Sequence, residues 1–363
     1  MTTLGALQTR VGSDSNSKIY SEKHMKRERM GNMKKKRKIS SYIVLALLIF
    51  AVWFYRDSME EIWWGIRQIS AKEILICMIL ATIYFALDGF LIHYGAAPFS
   101  KQMTAVKGIK TTFCCEFYRL ITLGSATFVA EIFYLCKSGV TLAQGTAVSA
   151  YKYAIKKLSI MLSGLAGFFW LSHLEYTSKL SHRYLAFAII ATVMCTVIIS
   201  AFLLISMSEK IANLVVFLIE QLAKKIKWIG KNSENWIAQI KCLNTEGKFL
   251  WRQWRRNLVV LFVNLCKCIA IYAVVVVLLK GKSILSTWDI IAIMAVTYFL
   301  AGVIPVPSGV MALEYVFGLF MDEFLGIGMI GPAILSFRFF SWIFPACIGG
   351  ILQFIDRFVK KEE

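Results

Sequence analysis

The stretch "IPVPSGVMALE", residues 304–314, decides how this chain folds. It holds Pro305 and Pro307, then Ser308 and Gly309, and ends on the carboxylate of Glu314. On either side lie "IIAIMAVTYFLAGV" and "YVFGLF", among the most apolar parts of the sequence. Proline removes an amide donor and clashes with the preceding turn, so an unbroken helix is not expected here. A carboxylate in hydrocarbon is costly and needs a partner or a wet cavity. The stretch therefore reads as the tip between two half-helices, with helix restarting near Glu314.

The surroundings fix the class. Hydrophobic residues make up 58% of the 363 and charged residues only 17%, which excludes an ordinary soluble domain. Continuous apolar runs near spanning length recur along the chain, and a bilayer needs about 20 residues of helix. An all-α polytopic membrane protein follows; a β-barrel would alternate polar and apolar residues instead. The net charge of +19 is concentrated beside the apolar runs. Residues 1–41 carry 11 Lys+Arg against 3 acids, and residues 207–256 carry 10 against 4. That is the positive-inside pattern, with attraction to anionic headgroups, and no nucleic-acid role is expected. The nine cysteines lie mostly in apolar runs and read as small buried hydrophobes. The four histidines are scattered, so neither metal nor cofactor is expected.

Residues 1–38 read as a basic disordered cytoplasmic tail, 39–355 as the transmembrane domain, and 356–363 as a short cytoplasmic tail. Spans are expected near 39–56, 74–97, 145–171, 184–206, 257–279 and 332–354. Segment 207–256 reads as a cytoplasmic connector. It opens on an amphipathic helix, with Ile211, Leu214, Val215, Leu218, Ile219 and Leu222 at helical spacing. If both the N-terminus and this connector are cytoplasmic, four spans already satisfy the count between them. The irregular segment 111–136, broken at "LGSAT", then enters and leaves on one side. The same count makes 289–327 a second re-entrant hairpin, entered from the opposite face. Six spans and two hairpins result, with both termini cytoplasmic.

The two broken segments align. "ITLGSATFVAEIF" from Ile121 lies on "IPVPSGVMALEYV" from Ile304, matching Ser125 to Ser308 and Glu131 to Glu314. Each is followed by a span carrying cations, Lys156 and Lys157 in the first copy and Arg338 in the second, then Ser159 and Gly167 against Ser341 and Gly349. This is the pattern of an inverted repeat, whose binding sites lie at broken helices near the midplane. Candidate substrate-binding residues are therefore Glu314, Arg338, Glu131, Lys156, Lys157, Ser308, Gly309 and Ser125. Asp88, Glu116, Arg119 and Lys267 are second in rank, Lys267 because lysines snorkel. Arginine suits phosphate because its fork meets two oxygens at once. A structural role stands beside this one: a glutamate in the first turn of a half-helix is favourable on dipole grounds alone. A cavity lined by the hairpin tips and Arg338 would favour transport, and a tightly packed interior with paired charges would oppose it. An enzyme is not expected, because no nucleophile elbow, phosphate loop or long outer loop with paired carboxylates is present.

The sequence also resembles the membrane domain of lysylphosphatidylglycerol synthetase/flippases, over about 39–355. "PVPSGVMALE" is similar to the family's second hairpin, and "AEIFYLCKSGV", 130–140, to the connector after its first. Lys156, Lys157 and Leu158 stand where the family often carries Glu-Arg-Leu. "GSATFVA" replaces the usual Pro and Gly before the first glutamate, and the cation soon after it is absent. The resemblance implies movement or handling of an anionic phospholipid or polyprenyl-linked lipid between the leaflets of a bacterial or archaeal cytoplasmic membrane. The chain stops soon after the last span, so aminoacyl transfer is not expected. A non-transporting accessory subunit of envelope lipid or glycan assembly is the alternative, and a lipid-modifying enzyme a weaker one. The sequence leaves the oligomeric state open.

Overall fold

The chain separates into two compact units, Met1–Asp57 and Ser58–Glu363. The computed structural model describes residues 67, 69–122, 124–172, 182–225, 227–281, 283–302, 304, 312–321 and 330–362, all in the second unit. The expected first span at 39–56 and the hairpin tip Pro305–Ser308–Gly309 lie outside the described residues.

Among the described residues the structure is helical throughout. Five helices are long and apolar enough to cross a membrane: Ala71–Ala96, Leu142–Leu171, Ile189–Met207, Trp254–Leu279 and Gly331–Asp356. They coincide with the expected spans after the first, and the protein is a multi-pass membrane protein. In chain order, α1 (Ala71–Ala96) is followed by the short pair α2 (Ala105–Ile121) and α3 (Thr127–Lys137), then by α4 (Leu142–Leu171) and α5 (His182–Met207). Helices α6 (Glu209–Lys225) and α7 (Lys227–Trp251) form the polar connector, and α8 (Trp254–Leu279) is the next long helix. A second short pair follows, α9 (Thr287–Ala301) and α10 (Ala312–Met321). The chain closes with α11 (Ile330–Arg338), a five-residue π-helical stretch (Phe339–Ile343) and α12 (Phe344–Glu362), which run together as one helix.

Local chemistry sets these boundaries. Ser70–Glu73, Thr141–Gln144 and Ser286–Asp289 each form a capping box that starts a helix. The break between α2 and α3 satisfies itself. Gly124 adopts φ 85, and its amide donates to the Arg119 carbonyl at 2.8 Å. Thr122 Oγ1 donates to the Tyr118 carbonyl and accepts from the Ala126 amide. The long helices keep apolar side chains on their outer faces, as with Leu75, Ile79 and Ile83 on α1. Such a helix, apolar all round, belongs in lipid.

The first limb of each short pair is wedged between two long helices. Helix α2 packs on α1 and α12, and α9 packs on α4 and α8. Glycines permit the approach. A Cβ at Gly89 of α1 would lie 2.3 Å from Ile109 Cα. One at Gly349 of α12 would lie 1.9 Å from the Phe113 carbonyl oxygen. One at Gly167 of α4 would lie 2.7 Å from the Ala292 carbonyl oxygen of α9. Gly167 and Gly349 are the pair matched in the sequence alignment.

The connector is more ordered than an interfacial helix alone. Helix α6 does expose Leu214, Phe217, Leu218 and Leu222 along one face. Helix α7 folds back on α4 and α5. There Asn244 Nδ2 donates to the Ile205 carbonyl at 2.9 Å, and Gly247 sits against Ser206. Lys248 pairs with Glu209, and this contact holds the Glu209 carboxyl below its ordinary pKa.

Candidate functional site

Two charged constellations hold the short helix pairs in place. The first is a chain of four side chains. Lys267 Nζ of α8 donates to Asp88 Oδ1 of α1 at 2.6 Å. Lys152 Nζ of α4 donates both to Asp88 Oδ2 at 3.1 Å and to Glu131 Oε2 of α3 at 2.7 Å. Four helices are thus joined by alternating charges that sum to zero. Lys267 is fully buried, with its ammonium 5.4 Å from the centre of the Tyr84 ring. Its head does not snorkel, because Asp88 supplies the counter-charge inside the bundle. Glu131 Oε1 is buried without a hydrogen-bond partner among the described residues.

The second constellation belongs to the second pair. Glu314 sits in the first turn of α10, where the dipole favours a carboxylate. It receives the fork of Arg338, Nε to Oε1 at 2.5 Å and Nη2 to Oε2 at 2.9 Å. Arg338 ends α11 and opens the π-helical stretch that carries Trp342. Single π turns inside helices occur often at functional sites. The Arg338 guanidinium carbon lies 5.4 Å from the centre of the Trp342 ring. That of Arg119, from α2, lies 5.7 Å from the same ring. Arg119 Nη1 in turn meets Glu116 Oε2 at 3.1 Å. The constellation draws on the first helix pair as well as the second.

The expected residues are distributed unevenly over this arrangement. Glu314 and Arg338 face each other. Glu131 meets Lys152, one turn before Lys156, and it lies beyond the first turn of α3, so the dipole argument does not apply to it. Lys156 is half-buried and makes no ion pair with a described residue. Lys157 reaches the second helix pair instead, where Nζ donates to the Gly302 carbonyl at the end of α9 at 2.9 Å. Ser125 is exposed, and its hydroxyl donates to the Thr122 carbonyl at 2.8 Å within the turn. Ser308 and Gly309 lie outside the described residues. Sequence reasoning did not single out Lys152 or Trp342, and it placed second in rank Asp88 and Lys267, which the structure joins to Glu131 through Lys152. The signal for Lys152 was available: it lies 21 residues after Glu131, inside an expected span, and an intramembrane lysine needs a carboxylate. Nothing in the sequence marks Trp342.

Among the described residues no group of histidine, cysteine and carboxylate side chains could hold a metal ion. All nine cysteines are free thiols. Among curated proteins, none matches the chain. The family model described as the lysylphosphatidylglycerol synthase TM region matches residues 39–349, most of the chain. Both broken segments, the two charged constellations and all but the last turns of the final span fall within that match, and the chain belongs to the family of the lysylphosphatidylglycerol synthase transmembrane region, a family of lipid-handling membrane proteins.

Proposed function

We propose that the protein is a flippase-like transporter that moves an anionic phospholipid, or a lipid-linked glycan, between the leaflets of a bacterial or archaeal cytoplasmic membrane. The observation that carries this reading is the Arg338–Glu314 fork. A guanidinium edge that meets a carboxylate through Nε and Nη2 is also matched to the two free oxygens of a phosphodiester. Glu314 keeps 28% of its side chain exposed, so the anion that occupies Arg338 is within reach of an arriving headgroup. The reading requires no bond-making step and no cofactor.

Two sets of contacts fit an inverted repeat, which suits this reading. The glycine pair Gly167 and Gly349 receives a carbonyl from the first limb of the opposite helix pair in each case. Tyr84 and Lys267, 183 positions apart, touch each other. In such a repeat equivalent residues meet only near the axis relating them, which would then run between α1 and α8. With the charge distribution as guide, both termini and the α6–α7 connector lie on the cytoplasmic side, and the two helix pairs are re-entrant from opposite faces.

A second reading, an accessory subunit without transport, is favoured by one observation. Every acid of the two constellations is already paired with a cation. A leaflet-exchange assay in liposomes separates the two. Headgroup-labelled phosphatidylglycerol is expected to exchange with wild-type protein and not with Arg338→Ala. Equal exchange in both overturns the site, and no exchange of any anionic lipid by the wild type favours the accessory reading.

A further inference from the structure

We infer that Trp342, Arg338 and Arg119 form one phosphodiester-binding site, which Glu314 occupies until a lipid headgroup displaces it. The inference rests on the lipid-handling reading and names the ligand chemistry and further residues of the same site.

The first support is the arrangement of charge. Two guanidiniums flank a single indole at 5.4 and 5.7 Å. Two like charges beside one buried ring repel each other and are tolerated only with anions present. Among the described residues Glu116 and Glu314 supply those anions, and the four described charges sum to zero. A phosphodiester added to this cluster would leave one uncompensated negative charge. One carboxylate must therefore give way.

Burial decides which. The Glu116 side chain is only 12% exposed, and freeing it would strand a charge inside the protein, at a cost of several kcal/mol. The Glu314 side chain, at 28%, is the less buried of the two and moves aside at the smaller cost. It also leaves behind the better receptor. The Arg338 fork offers two donors in one plane, whereas Arg119 meets Glu116 through one.

The second support is an unspent donor. Trp342 is 4% exposed, and its Nε1 has no hydrogen-bond partner among the described residues. Buried indole N–H groups normally have an acceptor. A phosphate oxygen held on Arg338 provides one. The indole then contributes both a ring face, which steadies the two cations, and a third donor. Arg119 keeps Glu116 and borders the site across the same ring.

The test is equilibrium binding to the purified full-length protein in detergent. The probes are dihexanoyl phosphatidylglycerol, the matching diacylglycerol, inorganic phosphate and the water-soluble diester glycerophosphoglycerol. Wild type is expected to bind the phosphatidylglycerol over the diacylglycerol. Trp342→Phe keeps the ring face and loses only the N–H, so its affinity is expected to fall about tenfold, the scale of a hydrogen bond to a charged group. Glu314→Gln removes the competitor and is expected to bind several-fold more tightly, a gain that misfolding cannot mimic. Unchanged binding in Trp342→Phe, or weaker binding in Glu314→Gln, overturns the proposal. Inorganic phosphate binding as well as the lipid would overturn its diester specificity; glycerophosphoglycerol binding as well as the lipid would support a headgroup site independent of the acyl chains. If wild type exchanges lipid between leaflets while these variants bind as it does, only this site is lost. If wild type neither binds nor exchanges anionic lipid, the lipid-handling reading itself fails.

Discussion

The two short helix pairs are matched in sequence, yet they are anchored in opposite ways. Glu131 of the first pair ends a sealed chain of four charges, Lys267–Asp88–Lys152–Glu131. Glu314 of the second is held by one arginine and stays partly exposed. Each long helix that carries the cations serves both pairs. Helix α4 sends Lys152 to Glu131 and Lys157 to Gly302. The final helix sends Arg338 to Glu314 and Trp342 toward Arg119. A buried, multiply bonded cluster resists rearrangement, because removing any member leaves an unpaired charge. An exposed fork can exchange its anion. The difference therefore points to the first pair as the fixed half and the second as the half that works, which is how the proposed transport divides its labour.

The largest effect should come from the centre of the sealed chain. Asp88 is the sole counter-charge of Lys267 in the described structure and shares Lys152 with Glu131. Asp88→Asn leaves two buried ammonium groups with one carboxylate. A loss of about 3–5 kcal/mol is expected, read by equilibrium unfolding in micelles. Adding Lys267→Met to Asp88→Asn removes the stranded cation and should recover much of that loss. A double variant no more stable than the single one would mean that the chain is not electrostatically coupled.

Next in size are the glycine contacts, which test whether the matched helices really play matched parts. Gly349→Ala forces a methyl group into the Phe113 carbonyl, and Gly167→Ala does so less severely against Ala292. Both should destabilise, by about 1–3 kcal/mol as overpacking generally does, with Gly349 the worse. If either is neutral, the close approach is not a shared device.

How much of this was legible beforehand differs between the levels of structure. Helix boundaries and spans follow from apolar run length and from local caps such as Ser286–Asp289, both written in contiguous residues. The break at Gly124 was legible for the same reason. Glu314 and Arg338 stood out as candidates because a charge in an apolar run is conspicuous, and the structure brings the two together. Pairings inside the first cluster were not legible. Whether Lys152, Lys156 or Lys157 meets Glu131 depends on the register of α4 against α3, a shift of about one helical turn that no spacing in the sequence fixes. Trp342 is harder still: its position depends on a π turn, and aromatic residues are ordinary in an apolar helix.

The smaller effects compare the two glutamates directly. Glu131→Gln leaves Lys152 bonded to Asp88, so the loss is one charge-assisted hydrogen bond, about 1.5–3 kcal/mol in stability, with any exchange activity declining in step with folding. Glu314→Gln leaves the buried Arg338 fork with one carboxamide oxygen in place of a carboxylate, a loss of similar size, about 1.5–3 kcal/mol, and lipid binding should change out of proportion to stability. The division between fixed and working halves would collapse if Glu131→Gln altered lipid binding at full stability, or if Glu314→Gln did nothing but destabilise.

The last and smallest test is Lys157→Met. Lys157 donates one hydrogen bond to the Gly302 carbonyl, where the run of aligned peptide dipoles in α9 ends. Its loss should cost about 1 kcal/mol, because the half-buried site lets water take over part of the bond. The residue sits where α9 gives way to the helix tip, so it tethers the working half to α4, which also grips the fixed half through Lys152. Loosening that tether without touching Arg338 should leave headgroup affinity unchanged and alter the rate of exchange alone. An equal change in affinity would place Lys157 among the groups that hold the anion.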